Sequence, residues 1–96
     1  MTPLEKDIEK ALIRKVRNRD GLCLKWVCPG WAGVPDRIVL LPRGRVAFVE
    51  LKRPKGGQLS SRQVWWMRKL QALGFIHCVI WTFEELKLFE EVVLHE

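Results

Sequence analysis

The chain has 96 residues, is 48% hydrophobic, and carries 17 basic against 11 acidic residues, a formal charge of +6. That length fits one domain, residues 1–96, and so small a domain buries a modest share of its surface, which makes a second copy or a partner worth expecting. The composition excludes a disordered tail, and no apolar run approaches the roughly 20 residues that cross a bilayer. A pI of about 9.7 favours acidic partners, nucleic acid first.

Cys23, Cys28 and Cys78 are an odd number without a framework spacing, which points to a reducing, cytoplasmic setting rather than a disulfide-stapled secreted domain. With His77 they match no usual zinc pattern, and they read as buried thiols. The polar, charged start does not look like a signal peptide.

In chain order, Thr2 to about Asn18 is predicted as a helix. Thr2 and Glu5 form a capping box, Pro3 suits the first turn, and Leu4, Ile8, Leu12 and Val16 make the buried stripe. Asp20-Gly21 ends it. Leu22–Cys28 reads as a strand, followed by a loop of small residues over 29–33. Arg37–Leu41 and Val46–Lys52 are two more strands, joined by Pro42-Arg43-Gly44, a three-residue hairpin loop with glycine where positive φ is needed. A helix over Ser61–Leu73 has Ser60 and Gln63 as its capping box and Gly74 as its stop. Ile76–Trp81 is a fourth strand, parallel to its neighbour through that helix, and Thr82 with Glu85 caps a last short helix. The order α-β-β-β-α-β-α describes an α/β fold, a mixed sheet flanked by helices.

The hairpin loop sets a register. With Leu41 opposite Arg45, Ile38 faces Phe48 and Asp36 faces Glu50. Period-two alternation then puts Asp36, Glu50 and Lys52 on one face at one end of the hairpin. A slip of one residue would separate the carboxylates. Facing carboxylates repel and raise each other's pKa, and a hard divalent cation, Mg²⁺ or Mn²⁺, resolves that. A lysine two residues on can orient water and offset charge on a phosphorane-like transition state. This is equipment for phosphodiester hydrolysis. The competing reading is a cross-strand ion cluster, of the kind common on protein surfaces. The nearly continuous apolar strands favour the first, because they read as central strands.

The run Lys25, Pro29-Gly30, Gly33-Val34-Pro35-Asp36-Arg37, Phe48-Val49-Glu50-Leu51-Lys52 and Gln63 resembles the stand-alone virus-type replication-repair nuclease (VRR-NUC) domain of the PD-(D/E)XK superfamily. The likeness covers about Glu5 to Phe75. It implies a restriction-endonuclease-like core, with Asp36, Glu50 and the backbone carbonyl of Leu51 as metal ligands and Lys52 as the catalytic lysine. It also implies an acidic ligand from the first helix. Glu5 is the choice, though it is also the capping-box residue, and Glu9 is the runner-up. Gln63 could position the water or the scissile phosphate, or serve only as a cap partner for Ser60.

Arg53 and Lys55 directly follow the motif strand and are the leading phosphate contacts. Lys10 and Arg14 share a helical face, Lys25 lies in the matching run, and each could equally be a solvated charge. Trp31 could stack on an unpaired base or pack under its loop. The resemblance implies a homodimer that cuts branched DNA, four-way junctions first, in the phage setting where such small proteins occur. No small-molecule cofactor and no membrane is expected. A flap or nick nuclease is the alternative enzyme, and a DNA-binding module that keeps the fold is the alternative to an enzyme.

Overall fold

The computed structural model describes residues 4–53 and 56–95. Helix α1 (Glu5–Arg17) buries Ile8, Leu12 and Val16 as expected, with Ala11 beside them. Leu4 is not part of that stripe. It is the N-cap and is exposed, because the helix begins later than the Thr2-Pro3 signal suggests. The Asp7 carboxylate accepts the Leu4 backbone N–H at 3.3 Å. Asp7, not Glu5, therefore satisfies the orphan donor of the first turn. Thr2 and Pro3 lie outside the described residues.

Strand β1 (Leu22–Lys25) is shorter than the predicted segment. Its ladder against β2 (Arg37–Leu41) ends at Lys25 and Arg37, and one further bond runs from the Trp26 N–H to the Asp36 carbonyl at 3.1 Å. The chain then turns away into the loop before Pro35, where Gly30 and Gly33 take positive φ. Strands β2 and β3 (Arg45–Leu51) pair from Leu41 opposite Arg45 to Arg37 opposite Val49, the register implied by the loop length. The connection Pro42–Gly44 is a 3₁₀ turn in which Arg43 (φ 65°) joins Gly44 (φ 72°) in the left-handed region. The sequence assigns positive φ to the glycine alone; a side chain there costs roughly 1–2 kcal/mol.

Helix α2 (Ser61–Ala72) carries the predicted cap in full. The Gln63 N–H donates to Ser60 Oγ, and the Ser60 N–H donates to Gln63 Oε1. Strand β4 (Ile76–Ile80) returns parallel to β3, from Ala47 beside Ile76 to Leu51 beside Ile80. Helix α3 (Phe83–Phe89) is capped by Thr82 and Glu85 and runs on as a π-helical turn over Glu90–Leu94, which the sequence pattern does not announce.

The sheet order is β1-β2-β3-β4, so the two strands of the hairpin are central. Alternation divides their side chains cleanly. Val39, Leu41, Ala47, Val49 and Leu51 meet Ile80, the α1 stripe, and Leu86, Phe89, Val93 and Leu94 in one apolar core. Cys23 and Cys78 pack against it as half-buried free thiols. Burial pushes the Cys23 thiol up to about 11 and raises that of Cys78, so both stay protonated and inert. The opposite face is shielded more sparingly: Phe48 is buried, while Leu22, Leu24 and Leu40 remain exposed. Glu50 lies on that face, at the end where β3 hands over to the loop before α2.

Candidate active site

Asp36 sits at the mouth of β2, held by the buried Pro35 before it and by its own carbonyl's bond to Trp26. Continuing the ladder one step past Arg37 and Val49 sets Asp36 opposite Glu50. Asp36 Oδ2 accepts the backbone N–H of Leu51 at 2.8 Å. The Asp36 carboxylate is thus tied to the residue directly after Glu50.

Glu50 is only 3% exposed, an unusual place for a carboxylate. Its Oε2 accepts Gln63 Nε2–H at 2.9 Å and lies 4.0 Å from Lys52 Nζ. Burial pushes the Glu50 carboxyl up to about 8. The Asp36 charge and a hydrogen bond shared with Asp36 add to this, and the Lys52 ammonium partly offsets it. Near neutral pH, in the absence of a cation, the Glu50 carboxyl therefore keeps its proton.

Gln63 is the cap partner of Ser60, and it also makes a contact with Glu50 that neither sequence alternative names. Its Oε1 is fixed by the Ser60 N–H, which turns its Nε2 toward Glu50. The cap orients the amide, and the amide restrains the carboxylate.

The two acids of α1 separate clearly. Glu9 Oε2 accepts Arg37 Nε–H at 2.9 Å, and Arg37 Nη1 also donates to the Cys23 carbonyl. Arg37 alternates with Asp36 and so points to the α1 side of the sheet, a consequence of period-two geometry that the motif reading passes over. A cavity of about 280 Å³ is lined by Glu5, Glu9, Lys25, Asp36 and Leu51, among others. A second depression, about 360 Å³, brings Glu5 beside Lys52 and Arg53. Glu5 thus borders both the Asp36 side and the Lys52 side of the site, while Glu9 is committed to Arg37.

The basic residues divide in the same way. Lys25 and Arg53 line these depressions, whereas Lys10 and Arg14 lie on the exposed side of α1 and line neither. Lys55 lies outside the described residues. Trp31 is 53% exposed, so it does not pack under its loop. The loop is instead fastened by Trp66, whose Nε1–H donates to the Ala32 carbonyl at 3.1 Å. Gly33 fits so tightly against α2 that an added Cβ would stand 2.6 Å from the Arg62 Cβ.

No family model matches the chain. It is 46% identical over 70 residues to the protein named "Putative nuclease p44" of Acyrthosiphon pisum secondary endosymbiont phage 1, a match covering 73% of this chain and 74% of that protein. A solved structure titled "VRR_NUC domain" superposes with a TM-score of 0.87 at 26% identity, over 93% of this chain and 96% of the other. An α/β sheet with a carboxylate pair at the end of its central hairpin is the framework of a nuclease. The chain belongs to the VRR-NUC nuclease domains.

A nuclease of this fold uses divalent metal in general, and the residues here fit such an ion. Two facing hard-oxygen donors, one of them buried and retaining a proton, would exchange that proton for a cation. Among the described residues no group of three His, Cys, Asp or Glu side chains stands close enough to hold a metal. The carboxylate pair is the preassembled part, and Glu5 borders it.

Proposed function

We propose that residues 1–96 form a single domain that acts as a Mg²⁺- or Mn²⁺-dependent, structure-selective endodeoxyribonuclease. The domain works as a homodimer on branched DNA, with four-way junctions as its leading substrate. The observation that carries this reading is Glu50, a buried carboxylate set opposite Asp36 and within 4.0 Å of Lys52 at the end of the central strands. A purely structural ion pair gains little from such burial, and a carboxylate pushed up to about 8 opposes folding rather than aiding it above its ordinary range.

Asp36 and Glu50, with the Leu51 carbonyl, would hold the cation, with Glu5 as the acid of α1 that borders the pair. When bound there, a divalent cation would supply Lewis-acid stabilisation to the scissile phosphate. Lys52 orients the attacking water and offsets charge that develops on the phosphoryl oxygens. Gln63 keeps Glu50 Oε2 fixed while this occurs. Lys25 and Arg53, at the rims of the two depressions, neutralise flanking phosphates, which position the strand without reading its sequence. Two copies related by a two-fold axis present two such sites, matching the paired cuts that a four-way junction requires. The phage origin of the p44 relative supports a role in phage DNA processing in the cytoplasm of a bacterial host.

The test is cleavage of labelled four-way junction, flap, nicked duplex and linear duplex DNA in Mg²⁺, Mn²⁺ and EDTA, by wild type and Lys52→Ala. Metal-dependent junction cutting that the substitution abolishes is the expected result. Cutting confined to flaps or nicks keeps the enzyme and removes the resolvase. Tight DNA binding with no cutting of any substrate overturns the catalytic reading.

A further inference from the structure

We propose that Trp31 and Trp65 form a stacking platform for a DNA base displaced from its duplex beside the cut, the feature that makes this nuclease select branched over linear DNA. The inference rests on the DNA-cleavage reading above and deepens it. Large aromatic surfaces are normally withdrawn from water, yet Trp31 is 53% and Trp65 is 44% exposed. They lie together, with ring centroids 6.3 Å apart and planes 21° from parallel. An aromatic stack that ends at the surface offers its outer face to one further ring.

The pair is rigidly supported. Trp66 packs edge-on against both, at 5.6 and 5.3 Å, and is fastened to the loop through Ala32. Behind it, Trp26 meets Trp66 edge-on and rests on Phe48. The platform is therefore built before any ligand arrives, which lowers the entropic cost of binding.

Its surroundings select the occupant. Helix α2 contains Arg62, Arg68 and Lys69 and no acidic residue. A shallow surface of about 590 Å³ joins Trp65 to Arg68 and Lys69. Apolar rings framed by cations fit a nucleobase attached to its phosphates, whereas an apolar protein segment would leave those charges unmatched. The platform is tied to the site through its support: Trp66 meets Trp26, whose backbone N–H donates to the Asp36 carbonyl. A base paired within a duplex cannot offer its face, so the platform responds to bases that stand unpaired in a flap or that open at the crossover of a junction.

The test uses the full chain carrying Lys52→Ala, in Mn²⁺, with flap DNA bearing 2-aminopurine at its first unpaired position and with the matching duplex. Binding should quench the probe in the flap. Trp31→Ala or Trp65→Ala should lower the flap-to-duplex affinity ratio about tenfold and abolish the quenching, and Trp31→Phe and Trp65→Phe should restore both. An unchanged ratio, or equal weakening on both DNAs, overturns the platform. So does sedimentation showing that Trp65→Ala only splits a dimer, which would make the patch a contact between copies. Cleavage by the wild-type chain is scored separately. Cutting without quenching removes the platform alone, and quenching without cutting removes the nuclease reading alone.

Discussion

Replacing Glu50 with glutamine should stabilise the metal-free protein, and by an amount that depends on pH. In the folded chain the Glu50 carboxyl is pushed from its ordinary 4.5 up to about 8, first by burial and then by Asp36. Between those values the folded state holds a proton that the unfolded state has released. The Glu50 contribution is therefore fully present below about pH 4.5 and is lost as pH rises to about 8. At roughly 1.4 kcal/mol per pH unit the ceiling on that loss is ~5 kcal/mol. Relaxation around a newly ionised Glu50 brings the expected value nearer 2 kcal/mol, or roughly 10 °C of melting temperature for a chain of this size. Glu50→Gln keeps an oxygen for the Gln63 Nε2–H and adds a donor toward Asp36, so the site can close without the charge. Thermal melts of both proteins in EDTA from pH 5 to 9 should show similar stability at the acid end and a widening advantage for the variant toward pH 8. His77, whose pKa is lowered by burial, acts in the opposite sense but equally in both proteins, and cancels in the difference. Mn²⁺ at pH 8 should then raise the wild-type melting temperature and leave that of Glu50→Gln unmoved. A difference that is flat with pH, or one that grows toward acid, refutes the buried-carboxylate account.

Three further outcomes follow from the same geometry. Gln63→Ala removes the donor on Glu50 Oε2 and should push the Glu50 pKa higher, so the pH at which half-maximal Mn²⁺ binding occurs shifts upward in calorimetry; a downward shift contradicts the assigned bond. Glu5→Gln should weaken cleavage at least tenfold with little change in melting, whereas Glu9→Gln, which removes the charge opposite Arg37, should cost about 1 kcal/mol of stability and leave cleavage nearly intact. The reverse pattern would exchange their roles. Gly33→Ala combines positive φ with a Cβ 2.6 Å from the Arg62 Cβ, so it should destabilise by at least ~2 kcal/mol in denaturant titration.

The hairpin was legible because a three-residue connection and an alternating pattern fix register together, and Asp36 and Glu50 face each other as a direct result. Capping boxes at Ser60 and Thr82 were legible for a similar reason: each is a local bond between residues three apart. The start of α1 was not, since Thr2-x-x-Glu5 and Leu4-x-x-Asp7 compete within one turn and the outcome depends on how Ile8 docks into the core. The choice between Glu5 and Glu9 was likewise hidden, because it turns on Arg37 approaching from a strand far along the chain. The double duty of Gln63 combines the two cases. Its cap is local, while its bond to Glu50 needs α2 laid across the sheet.

The parallel pairing of β3 with β4 also favours an order of folding. The hairpin closes across a turn, joining near neighbours, whereas Ala47 and Ile76 meet across a much longer stretch that includes α2, a closure that costs more chain entropy and is expected later. The carboxylates can thus come face to face while Glu50 is still in water, and its desolvation falls in the later step, when α2 and β4 dock. A condition that neutralises Glu50, whether mild acid or a bound cation, lowers the free energy of that docked state. The nuclease would then be consolidated by the ion with which it cuts.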